Sequence, residues 1–134
     1  FPMRRVFYRS DRLDHPETAL PIEVIRAEYG WCDAPGHIEY NRMVQLPFSA
    51  SHESLWRDDM LYDLLVELGY NDSPTIQDRG SAIFFHLTTS DYKPTEGCVA
   101  VSPNDMSQIL VNCDQQTLVT IEPESEGIAS ADQK

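Results

Sequence analysis

Residues 3–9, MRRVFYR, are rich in β-prone side chains and alternate in part, which predicts a strand. The next eleven, SDRLDHPETAL, are polar, contain Pro16 and read as a loop. In PIEVIRA (21–27) the apolar positions Ile22, Val24 and Ile25 nearly alternate with charge, so a short strand follows. Residues 28–42 hold Gly30, Trp31, Cys32, Asp33, Pro35 and Gly36 and predict a long irregular stretch, with Trp31 packing over a sheet edge. Such stretches are uncommon in small domains unless they have a task. MVQLP (43–47) predicts a short strand stopped by Pro47, and SHESLWRDDM (51–60) a short helix or helical turn. LYDLLVEL (61–68) has helical propensity, but Tyr62, Leu64 and Val66 alternate and a turn of Gly, Asn, Asp and Pro follows, so it is read as a strand. Asn71 and Asp72 are turn residues there. After Gly80, the apolar run SAIFFHL (81–87) predicts a buried strand.

The last third is more regular. Residues 88–97 form a polar loop and CVAV (98–101) a short apolar strand. Ser102, Pro103 and Asp105 then supply an N-cap, a first-turn proline and a first-turn acid. The helix they open would bury Met106, Ile109 and Leu110. TLVTI (117–121) predicts a closing strand, and from Glu122 the composition turns to Glu, Ser, Ala, Asp and Gln, the make-up of a disordered tail. The expected architecture is mainly β, a mixed β-sheet or sandwich with one or two short helices: one domain over 1–121 and an acidic tail over 122–134.

Composition narrows the function. The 134 residues carry a net charge of −12, with 10 basic and 22 acidic side chains. That balance excludes a phosphate-backbone binder, which needs a basic patch; nucleic acid is not an expected partner. The acid is spread along the chain and reads as a soluble, self-repelling surface. No apolar run is long enough for a membrane span. The three cysteines, Cys32, Cys98 and Cys113, form no CxxC pair, so no structural zinc site is expected.

Candidate chemistry concentrates between Ser81 and Asp105. His86 lies near the end of a buried strand, and Cys98 starts the next one directly after Gly97. A hydrogen-bonded histidine takes the thiol proton and leaves the thiolate, which is the nucleophile. Gly97 gives the backbone the freedom to aim N–H groups at a developing oxyanion. Residue types alone leave a second reading open: a satisfied core histidine and a small buried cysteine.

His86, Thr95, Gly97, Cys98 and Val99, with the helix start at Ser102, resemble the catalytic segment of the L,D-transpeptidase (YkuD-like) family. The similarity extends back through LWRDDMLYDLLVELGYND and RGSAIFFH, covers roughly residues 1–121 and is most specific over 79–106. The turn reads T-E-G-C where the commoner motif is S-H-G-C, so Glu96 replaces a histidine. Ala100 stands where many members carry Arg or Asn, and only 11 residues separate His86 from Cys98.

The resemblance implies a Cys98 thiolate that attacks an amide between an L and a D centre in a peptidoglycan stem peptide. An amine of a second stem then resolves the acyl-enzyme into a cross-link, or water trims the stem. His86 would serve as base and then acid, with the N–H groups of Gly97 and Cys98 as oxyanion donors and Thr95 orienting the dyad. No metal or organic cofactor is implied. The working place is periplasmic or wall-facing, where a Cys32–Cys113 disulfide would leave Cys98 free. The family pattern also implies further strands before Phe1-Pro2, whose loss would expose a sheet edge.

Two competing functions remain: an inactive wall-binding domain, motivated by Glu96 beside Cys98, and another cysteine-dependent wall peptidase, against which the His-before-Cys order argues. Substrate-groove candidates are Thr95, Glu96 and Arg79 together with His52, Trp56 and Tyr62. The last three belong to a polar-aromatic cluster that includes Glu53, Asp59 and Asp63. The bland reading of that cluster is a capped helix and a solvated strand face, and of Arg79 a surface arginine.

Overall fold

The computed structural model describes residues 1–88 and 99–120. Within them lie eight strands and one helix: β1 (Met3–Tyr8), β2 (Ile22–Val24), β3 (Tyr29–Cys32), β4 (Met43–Gln45), β5 (His52–Ser54), β6 (Leu64–Leu68), β7 (Phe84–Leu87), β8 (Val99–Val101) and α1 (Pro103–Val111). Five strands form a mixed sheet in the order β2-β1-β6-β7-β8, and three form a smaller sheet in the order β4-β3-β5. The fold is mainly β, as the alternation predicts.

The pleat of the large sheet sorts its side chains into two cores. Val6, Tyr8, Leu64, Val66, Phe85 and Leu87 face one side, where Met106 and Leu110 of α1 cover them. Phe7, Leu65 and Phe84 face the other, against Trp31 and Leu55 from the small sheet and its flank. The inner strands β6 and β7 thus bury both of their faces almost throughout. In the ladder, Val66 lies opposite Phe85 and Phe85 beside Val99, so three strands meet on the helix side. His86, one residue on from Phe85, therefore points to the opposite side, toward the small sheet.

Helix α1 starts as its sequence dictates: the Ser102 hydroxyl accepts from the Asp105 N–H, Pro103 opens the first turn, and Met106 and Leu110 are buried.

Four expectations need correction. Residues 51–60 are not helical; their local cap signal yields to pairing, because His52–Ser54 joins β3 as an edge strand. The stretch 28–42 is not wholly irregular, since Tyr29–Cys32 is the central strand of the small sheet. Gly30 lets Leu46 pack closely there: a β-carbon would sit 2.8 Å from Leu46 Cδ2, which would have to shift. The closing strand over 117–121 reduces, among the described residues, to one bridge between Leu118 and Pro2. Finally, Cys32 and Cys113 are both free and buried. Cys113 belongs to the helix-side core and Cys32 to the small sheet, so the large sheet stands between them.

Candidate active site

His86 is 2% exposed, in the third position of β7. Its Nδ1 lies 2.8 Å from the carbonyl oxygen of Leu87. A carbonyl only accepts, so Nδ1 carries the proton and the lone pair is left on Nε2. Leu87 is itself fixed, since its N–H donates to the Leu61 carbonyl at 3.0 Å. Burial pushes the His86 pKa below its ordinary value, only partly opposed by the Leu87 carbonyl and the Glu53 carboxylate. Near neutral pH the ring is a neutral imidazole with a defined tautomer, the form a general base requires.

The ring packs edge-on against Tyr62, with centroids 5.4 Å apart. Tyr62 also meets Phe84 at 5.7 Å, donates its hydroxyl proton to Glu53 Oε1 at 2.6 Å, and lies beneath the Arg57 guanidinium at 5.1 Å. Arg57 in turn is held by both oxygens of Asp59, at 2.9 and 2.6 Å. That pairing raises the Arg57 pKa and lowers that of Asp59.

The loop between β5 and β6 that presents these groups is tied down by two arginines from the first segment. Arg9, 3% exposed, donates to the Arg57 carbonyl, clasps Asp11, and stacks on the Trp56 ring at 3.5 Å. Arg12 donates to the carbonyls of Asp58 and Asp59 and to the Asp63 carboxylate.

The predicted site residues divide accordingly. Tyr62 reaches His86. It leaves the alternation with Leu64 and Val66 because residues 61–63 form a turn before β6, so its ring falls on the other face. Trp56 serves Arg9 rather than His86. His52 is exposed; Cys32 lies opposite it in the ladder, its ring meets Phe48, and Nδ1 bonds the Ala50 carbonyl. Arg79 is exposed in the turn before β7, where its carbonyl accepts from the Tyr70 hydroxyl. Thr95, Glu96, Gly97 and Cys98 lie outside the described residues, as do most of the 88–97 loop, Ile121 and the 122–134 tail.

The neighbours of Cys98 are informative all the same. Val99, to which it is bonded, begins β8 in parallel register with Phe85, and Ala100 pairs with His86.

Sequence reasoning missed Arg57. It places Glu53 only within a polar-aromatic cluster. The one legible hint was the density of charge and aromatic residues in 52–63. A separate cavity of about 400 Å³ lies between the 13–17 loop and α1, lined by Leu13, Leu64 and Leu110. It opens on the helix side of the sheet, away from His86.

A mixed five-stranded sheet with a buried, neutral histidine on the strand beside β8 defines a β-rich domain of two sheets and one helix. The family model of the L,D-transpeptidase catalytic domain (YkuD) matches residues 1–121, and the chain belongs to that family. No curated protein and no solved structure matches it.

Proposed function

We propose that this domain is a cysteine-dependent peptidoglycan L,D-transpeptidase, with Cys98 as nucleophile and His86 as its base. The observation that carries the reading is the His86 ring: buried, neutral, protonated on Nδ1 by its bond to Leu87, and on the strand beside the one that Cys98 leads into. Nε2 accepts the thiol proton, and the thiolate attacks the carbonyl carbon of the stem amide. The S–C bond forms, the C–N bond breaks, and the imidazolium returns its proton to the leaving amine. The N–H groups of Gly97 and Cys98 receive the oxyanion.

The thioester is then opened by the amine of a second stem, giving a cross-link, or by water, giving a trimmed stem. Peptidoglycan lies outside the cytoplasmic membrane, and so does the site of action. The −12 charge serves solubility, since the polymer bears acids of its own.

Intact-mass spectrometry after incubation with a carbapenem tests the reading. Ring opening by a thiolate adds the whole lactam to the chain, so wild type gains one adduct on Cys98 and Cys98→Ala gains none. A folded wild-type protein that takes no adduct would overturn the enzyme reading and favour a wall-binding domain, in which Glu96 suppresses the thiolate.

A further inference from the structure

We propose that Tyr62 and Glu53 form a positioning pair that holds the His86 ring in the orientation proton transfer requires. This rests on the reading of His86 as the catalytic base. The Leu61 carbonyl takes the Leu87 N–H, so the chain carrying Tyr62 runs alongside the peptide that holds His86 Nδ1. The hydrogen bond at Nδ1 defines the tautomer and limits rotation about the Cβ–Cγ bond, but a single bond still lets the ring rock within hydrogen-bonding range. The Tyr62 ring, with its centroid 5.4 Å from that of His86, supplies the second contact that narrows this motion.

Among the described residues, Tyr62 is restrained from three sides. Glu53 of β5 takes its hydroxyl proton, Phe84 of β7 meets its ring, and Arg57 of the loop lies over its face. The pair therefore ties the small sheet to a side chain of the large one. Among the described residues, the charged and titratable groups around His86 are Glu53, Arg57, Asp59 and Tyr62, from β5 and the loop that follows it. Glu53 and Asp59 favour the imidazolium while Arg57 opposes it. Glu53 thus acts on His86 in two ways, by holding Tyr62 and by its charge.

The two roles separate by substitution in the full chain, with carbapenem acylation of Cys98 followed over time by intact mass between about pH 5 and 9. Tyr62→Phe keeps the ring and the Glu53 charge but loses the anchor; Glu53→Ala loses both the acceptor for Tyr62 and the charge. Each should slow acylation about ten-fold, as expected for a displaced proton acceptor. The double variant should be little slower than either single one, because both break one chain of contacts. Glu53→Ala, unlike Tyr62→Phe, should also move the acid limb of the rate profile to lower pH.

A merely structural pair would lower the melting temperature and leave rate and limb unchanged in the protein that remains folded. Wild-type rates and limbs in both single variants, beside a slow His86→Asn control, would overturn the pairing and leave the enzyme reading intact. Absence of an adduct on folded wild type would overturn both.

Discussion

Asn41 uses both ends of its amide to join three segments. Its oxygen accepts from the Trp31 indole and the Ala82 N–H, and its nitrogen donates to the carbonyls of Tyr70 and Asn71. The residue is 6% exposed with φ at 61°, a backbone state that asparagine tolerates better than most residues. Asn41→Ala strands the buried indole N–H and should cost about 2–3 kcal/mol. A chemical denaturation curve with an unchanged slope and a lower midpoint would show this; an unchanged midpoint would mean that water replaces the amide.

His86 sets a second outcome at this scale. Unfolded, its imidazole titrates near its ordinary value of about 6.5, whereas the fold holds it lower. Between those two values the unfolded chain binds more protons, so this group's contribution to stability rises with pH there and levels off above about 6.5. Below the folded value the penalty is complete. Melting curves of wild type and His86→Gln from about pH 7.5 down to 5 should therefore diverge, with wild type losing more. Carboxylates common to both cancel in that difference.

Among the elements, those legible in the sequence are the ones whose signals are local. Ser102, Pro103 and Asp105 announce α1 without help from the rest of the fold, and the run before His86 announces β7. The elements that were misread are those whose identity is decided by a partner. His52–Ser54 satisfies a helix start on residue type, yet it lies beside β3 and takes the extended form. Tyr29–Cys32 contains a glycine and precedes a loop, but two neighbours flank it and its backbone groups find partners in both.

The site shows the same division. His86 and Cys98 are candidates from residue types and the family resemblance, and the structure places His86 in the core beside Tyr62; no pattern in the sequence says that Tyr62 leaves its strand register to meet the imidazole. For α1 the signals carry energies that can be checked. Ser102→Ala removes the acceptor for the Asp105 N–H and should cost about 1 kcal/mol. Met106→Ala empties a fully buried position between α1 and the sheet and should cost about 2–5 kcal/mol. Thermal melts that reverse this order would mean that the helix is held by its start rather than by its face.

At the scale of the molecule, the −12 charge is more than a balance of types, because most of the arginines are already committed. Arg4, Arg5, Arg9, Arg12 and Arg57 each hold a carboxylate within about 3 Å. Arg5 holds two, Glu23 and Glu67, and so links β2, β1 and β6 across the large sheet. The remaining acids repel one another over longer distances. Salt weakens interactions beyond about 8–10 Å far more than it weakens partly buried contacts near 3 Å. Added sodium chloride, from about 20 mM to about 0.5 M, should therefore remove more repulsion than attraction and raise the melting temperature by a few degrees. Arg5→Gln separates the two effects: it keeps a polar side chain and loses both ion pairs, so it should melt lower than wild type at low salt and gain more from added salt. A melting temperature that falls with salt in wild type would mean that the cross-strand pairs, not the surplus acid, dominate the electrostatics of the fold.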